Sequence, residues 1–403
     1  MKLNDETLRF IHEHCKDDVR NLALQAPKYP GVDMPVALTQ IAGRQAAAEK
    51  IPSWYAEEGI LYPRHLSLEQ CSSEATARYK ASIIPEFSSG TLADLTGGFG
   101  IDCAFLSPKF HHVTYVERQE VLCEIASHFP LLALNHIRIE NKDAIRHLQE
   151  MSSADWIFID PARRDGHGGK TVAIADCEPN VAELESLLLE KAQHVMVKLS
   201  PMLDLSLAIQ DLKYVQEAHI VSVNNECKEL LLILGHNTVA AENIPIHCIN
   251  LQMKDGRNTE PTGQFFTFTR EQEQSSSNEY TDTLDKYLYE PNASILKAGA
   301  FRNVACIYKV KKLHPNSHLY TSGEPIKNFP GRSFRITGIC TLNKKELKSV
   351  LGDLKKANIT VRNFPSSVAE LRKRIKLSEG GEVYLFATTL INEQKVLIRC
   401  EKI

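Results

Sequence analysis

The chain is predicted to be α/β, with a doubly wound, mainly parallel sheet, a helical segment before it and a small α+β module after it. Three observations predict this. Residues 91–235 alternate short apolar runs with helix-like segments. The first run, Thr91 to Leu95, ends in the cluster Gly97, Gly98 and Gly100 and leads into Cys103–Leu106, which reads as strand, tight turn, helix. Later apolar runs end in acids, where ligands bind at the carboxyl edge of open α/β sheets.

Residues 1–80 read as short helices divided by Pro27, Pro30, Pro35, Pro52 and Pro63. In Gln70-Cys71-Ser72-Ser73-Glu74-Ala75-Thr76, the serines read most simply as a helix N-cap. A sheet domain is expected over residues 81–275. His111–Glu117 is a second strand ending in Glu117, and an acid at that place can accept from both ribose hydroxyls. Ile137–Ala144 is a third strand running into a turn at Asp143 and Ala144, and Trp156–Ile159 is a fourth, ending in Asp160-Pro161. A helix near 179–193, a strand at 195–199, a helix near 204–213 and two hairpin-like strands, 219–223 and 229–234, bring the count to seven. Ile244–Leu251 and Phe265–Thr269 read as added strands, and Glu271–Asn278, with three consecutive serines, as a linker. Two C-terminal domains are expected: a small linking domain over 280–332 and an α+β domain over 333–403.

The glycine spacing does not match the dinucleotide fingerprint. It resembles the first motif of class I S-adenosylmethionine-dependent methyltransferases, acidic-x-G/T-x-G-x-G, at Asp94, Thr96, Gly98 and Gly100, with Asp102 following. Together with Gln70–Glu74, Tyr289-Glu290-Pro291-Asn292 and Phe329-Pro330-Gly331-Arg332, it makes the chain resemble a bacterial family of RNA methyltransferases that carry a C-terminal THUMP-like domain. The resemblance implies a Rossmann-like, seven-stranded methyltransferase sheet, with the 280–332 domain ferredoxin-like. It implies S-adenosylmethionine as cofactor, with Asp143 at the adenine amino group and the segment of Ser72, Ser73 and Thr76 over the methionine end. It also implies RNA, tRNA or rRNA, as partner of the C-terminal region, and leaves the target base open.

Amine-methylating enzymes usually carry Asp/Asn-Pro-Pro-Tyr/Phe, whose aromatic stacks on a flipped base. Here the tetrad is Asp160-Pro161-Ala162-Arg163, so stacking falls to the Arg163 guanidinium or another residue. Asp-Pro-x-Arg also resembles the uridine C5 methyltransferases, which need a cysteine after the next strand. Lys198-Leu199-Ser200-Pro201 stands there instead, which disfavours C5 chemistry. The expected chemistry is therefore methylation of a base, with an exocyclic amine favoured. Asp160 and the Pro161 carbonyl orient the nucleophile, while Arg163, Arg164 or Lys198 meets phosphate or base. The alternatives are a methyltransferase of a small molecule or protein, and a non-catalytic RNA-binding protein on the same fold.

Charge supports a polyanionic partner: residues 291–403 hold 21 Lys/Arg against 8 Asp/Glu, although the whole chain has a net charge of −3. The ten cysteines form no C-x-x-C pair, so reduced thiols, no metal site and a cytoplasmic setting are expected. No apolar run approaches the ~18 residues of a membrane span.

Overall fold

The computed structural model describes residues 3–57, 59–63, 69–85, 90–129, 131–163, 173–252 and 262–403. The chain divides into two compact units. The first holds Met1–Ala218, Lys228–Val239 and Leu251–Thr262; the second holds His219–Cys227, Ala240–Asn250 and Gly263–Ile403.

The first unit begins with helices α1 (Asp5–Glu13), α2 (Val19–Leu24), α3 (Met34–Lys50) and α4 (Pro52–Tyr55). Asn4, Asp18 and Asp33 cap the first three through side-chain oxygens, each satisfying an amide that the helix leaves unpaired. Trp54 on α4 is fully buried, with its ring centroid 5.2 Å from that of Phe99 and 4.2 Å from that of Phe129. Helices α3 and α4 therefore share a core with the glycine loop, while α1 and α2 pack with the start of α3 in a separate cluster. Helices α5 (Glu74–Ile83), α6 (Ile101–Leu106), α7 (Glu120–Ser127), α8 (Ala144–Glu150), α9 (Val181–Lys191) and α10 (Leu205–Asp211) follow.

The large sheet contains β1 (Thr91–Asp94), β2 (His112–Glu117), β3 (Ile137–Asn141), β4 (Ala154–Ile159), β5 (Ala192–Leu199), β6 (Val215–Val223), β7 (Glu226–Leu234), β8 (Ile246–Gln252) and β9 (Thr262–Phe268). Its order is β9-β8-β6-β7-β5-β4-β1-β2-β3. Strands β3, β2, β1, β4 and β5 pair in parallel, and β7 runs antiparallel to β5. The expected seven strands are thus extended to nine by β8 and β9. Strand β1 lies between β2 and β4, so the strand order reverses there. In open α/β sheets, ligands bind outside the carboxyl ends of the strands at such a reversal, here those of β1 and β4.

In the second unit, β10 (Tyr287–Pro291), β11 (Lys311–Lys312), β12 (Tyr320–Ser322), β13 (Gly331–Cys340), β14 (Asn358–Arg362), β15 (Val383–Thr389) and β16 (Lys395–Lys402) form one sheet, ordered β11-β12-β10-β13-β16-β15-β14. Residues on both sides of position 332 therefore share hydrogen-bonded strands. The expected linker at Glu271–Asn278 is instead largely helical: α11 spans Arg270–Ser275 and is closed by a Thr269/Gln272 capping box. It is held in place by Glu273, whose carboxylate accepts from the amides of Phe301, Arg302 and Asn303 at the start of α13 (Phe301–Tyr308), after α12 (Ala293–Ala298). A carboxylate at a helix N-terminus is favoured by the unpaired amides and the helix dipole. That contact lies beyond the reach of local propensity. Helices α14 (Lys344–Leu351) and α15 (Val368–Ile375) complete the unit, burying Leu351 and Leu371 in a core with Leu385 and Leu397.

Candidate active site

The glycine loop is tied to the strands on either side of β1. The Asp94 carboxylate accepts from the Thr96 amide (3.1 Å), and the Thr96 hydroxyl accepts from the Asp160 amide (2.7 Å), joining the ends of β1 and β4. Glu117, at the end of β2, accepts from Gly98 N at 2.9 Å through one oxygen and from Gln119 N at 2.8 Å through the other. Tyr115 supports the loop from below, donating its hydroxyl to the Gly98 carbonyl at 2.6 Å. A Cβ on Gly97 would lie 2.1 Å from the Tyr115 ring, so glycine is needed there for packing. Gly98 and Gly100 both take positive φ, 55° and 86°. Among the described residues other than its chain neighbours, the nearest atom to the Cβ position of Gly98 is the Thr96 carbonyl oxygen at 3.8 Å, so that side of the loop is open.

Asp94 is fully buried. Among the described residues its Oδ2 has no hydrogen-bond partner, and burial pushes its carboxyl well above the usual carboxylate range. Asp102, at the start of α6, is also buried, and burial alone would raise it. Lys80, Lys198 and Ser72 outweigh that effect and hold it below its ordinary value.

Lys198, near the end of β5, places Nζ 2.5 Å from Asp160 Oδ2 and 3.7 Å from Asp102 Oδ2. Burial works against its charge, but Asp160, Asp102 and Glu229 outweigh burial and raise its pKa. Lys198 is therefore a fixed cation rather than a proton acceptor. Its side chain is only 10% exposed, whereas that of Asp160 is 35% exposed and open to a ligand.

The remaining sequence-predicted residues divide. Ser72 joins the cluster, donating to Asp102 Oδ2 at 2.7 Å. Ser73 is the N-cap of α5, accepting from the Thr76 amide. Asp143 is exposed and caps α8 through the Ile145 and Arg146 amides, with Ala144 as the first residue of that helix. The backbone of Arg163 pairs with Cys177; its side chain, and Arg164, lie outside the described residues.

Three residues of the site lay outside the sequence motifs or the roles assigned to them. Lys80 and Glu229 enter the charge cluster from α5 and β7. Cys71 is pushed up to about 11 by burial and stands in the field of Lys50, Asp102 and Lys198. A cysteine does lie near the strand-end cluster, then, but as a protonated thiol, a poor nucleophile. All ten cysteines are free thiols. Elsewhere, within the second unit, the His219 and His247 rings stack with their centroids 4.5 Å apart. A cavity of about 570 Å³ opens among Thr91, His112, Arg138, His147 and Ala154, at the amino end of the strands, away from the strand-end acids.

The chain is similar along its whole length to a Porphyromonas gingivalis W83 protein of known crystal structure, provisionally named a methyltransferase. The two are 36% identical, with 100% of each chain covered and a TM-score of 0.85. The chain belongs to this methyltransferase family. Residues 287–330 match the model of a ferredoxin-like domain, and residues 331–402 match that of a THUMP domain-like family. A Pyrococcus horikoshii protein provisionally named an RNA methyltransferase is 11% identical over 48% of this chain and 99% of its own, with a TM-score of 0.33. An Escherichia coli protein provisionally named a methyltransferase is 15% identical over 37% of this chain and 78% of its own, with a TM-score of 0.27. No curated protein matches. Among the described residues, no helix of this chain is long and apolar enough to cross a membrane.

Proposed function

We propose that this chain is an S-adenosylmethionine-dependent methyltransferase of a base in tRNA or rRNA, acting on an exocyclic amine. The observation that carries this reading is the Asp160–Lys198 pair at the strand-order reversal, beside a glycine loop whose acids are already oriented. The residues present fit the cofactor. The open face of Gly98 admits a ligand against the backbone, and the buried, unpartnered Oδ2 of Asp94 calls for a polar group. Glu117, its orientation set by two backbone amides, is the candidate for the ribose hydroxyls. Asp143 would reach the adenine while still capping α8, and Ser72, Ser73 and Thr76 would line the methionine end.

The cofactor supplies an activated methyl group for in-line displacement, so the protein's task is mainly alignment. Lys198 occupies one oxygen of Asp160 and fixes the carboxylate. The other oxygen, with the Pro161 carbonyl, would accept from the target amine as its N–CH3 bond forms, and the amine's proton would pass to solvent at the half-open end of β4.

RNA is the proposed substrate because basic residues crowd the second unit, with Lys344, Lys345 and Lys348 exposed on α14 and Lys373 and Arg374 exposed on α15. Calorimetry with S-adenosylmethionine tests the cofactor. Mass spectrometry of nucleosides from total RNA, with and without the protein, tests the substrate. A methylated nucleoside that disappears with the protein supports the reading; cofactor binding with an unchanged nucleoside profile rejects RNA.

A further inference from the structure

Lys80 and Glu229 belong to none of the cofactor motifs and lie 149 positions apart. Lys80 has no exposed surface, and Glu229 is 3% exposed. The Lys80 ammonium donates to both Glu229 oxygens, at 2.7 and 2.8 Å, and to Ser72 Oγ at 3.1 Å, and lies 3.1 Å from Asp102 Oδ1. Asp102 in turn faces Lys198, which holds Asp160. The result is a chain of alternating charge, Glu229–Lys80–Asp102–Lys198–Asp160, running from the interior to the half-open end of β4.

Such a chain is a costly way to fill a core. Desolvating buried ions is expensive, and well-packed apolar residues often serve stability as well or better. Its geometry has a directional consequence, however. Without Lys80, Asp102 would turn to Lys198 and compete with Asp160 for the same ammonium.

We propose that Lys80, anchored by Glu229, is a positioning residue of the methyl-transfer site. It sets its positive charge 3.1 Å behind Asp102 Oδ1, without a hydrogen bond to it, and so leaves Lys198 free to hold Asp160 in place. The role rests on the functional reading of Asp160 given above. Neither Lys80 nor Glu229 meets the substrate; both act through Asp102.

The test uses the full chain. Lys80→Met alone strands a buried carboxylate, so the working variant is Lys80→Met/Glu229→Leu, which removes one charge of each sign and leaves the cluster's net charge unchanged. Glu229→Gln is a milder second variant. Each is combined with Asp160→Asn, and unfolding constants are measured in urea. Linkage predicts that the effects fail to multiply, by fivefold or more. Effects that multiply within twofold would overturn the proposal. Methyl transfer to RNA from cells lacking the protein then separates positioning from a purely structural role. The folded double variant should lose at least tenfold in kcat while its S-adenosylmethionine affinity by calorimetry stays within threefold of wild type, and an unchanged kcat would also overturn the proposal. Failure of the wild type to bind the cofactor would reject the functional reading, while the unfolding cycle would still decide whether the charges are linked.

Discussion

The Lys198 ammonium sits 2.5 Å from the Asp160 carboxylate, joining the carboxyl ends of two neighbouring parallel strands, β5 and β4. Each residue constrains the other. The lysine stays charged, and the carboxylate points to one side. In Asp160→Asn, an amide oxygen still accepts from Lys198, so the melting temperature should stay within a few degrees of wild type. Methyl transfer, measured with radiolabelled cofactor and RNA from cells lacking the protein, should fall about a hundredfold, the scale of removing one transition-state contact. A collapse of stability with activity retained would make Asp160 a structural residue.

Asp94 should show its burial in the pH dependence of stability. Its folded-state pKa is raised, chiefly by burial, so the fold holds a proton that the unfolded chain releases. Stability should then fall as pH rises from the unfolded carboxylate value, about 4, towards the folded value. Asp94→Asn removes that loss. The variant should melt higher than wild type at pH 7, with a flatter profile between pH 4 and 7, yet bind S-adenosylmethionine at least tenfold more weakly. Parallel melting profiles would show that Asp94 ionises freely.

Glu117→Ala releases the Gly98 and Gln119 amides from their carboxylate partner. Cofactor affinity by calorimetry should drop at least tenfold, with a loss of a few degrees in melting temperature. Equal affinity in variant and wild type would remove Glu117 from the site.

The two left-handed glycines should respond differently to alanine. At Gly100 a Cβ would lie 2.3 Å from Leu132 Cδ1, so Gly100→Ala adds a clash to the backbone strain. At Gly98 the strain stands alone, about 1–2 kcal/mol. Chemical denaturation should find Gly100→Ala the less stable, and calorimetry should find Gly98→Ala weakened in cofactor binding. The reverse order of stability would contradict the packing beneath the loop.

RNA docking is best probed without truncation. A cut after Asn278 would strip Asn225 of its bond to Ala293 in the second unit. Replacing the exposed Lys344, Lys345 and Lys348 with glutamine leaves the core intact. Gel shifts across salt concentrations should show a shallower slope of log affinity against log salt, by roughly 0.7 for each single-strand phosphate that the variant no longer neutralises. An unchanged slope would leave these lysines as solubilising charge.

The sequence by itself determined the local units: strand, glycine turn and helix at 91–106, the acids closing β1, β2 and β4, and the strand–helix alternation of the C-terminal residues. These follow from periodicity and turn chemistry, which act over a few residues. Tertiary structure decided which groups meet. Ser73 was readable as a cap or as a ligand contact, and Asp143 only as an acid in a turn after a strand; the fold shows both bonded to helix amides. Glu273 turned an apparent linker into a helix by reaching amides about thirty positions away. Lys80 and Glu229 became part of the site only because the fold buries them together, where desolvation leaves a charge no stable partner but an opposite one. Pairings across such distances leave no periodic trace in a single chain, so only the folded molecule reveals them.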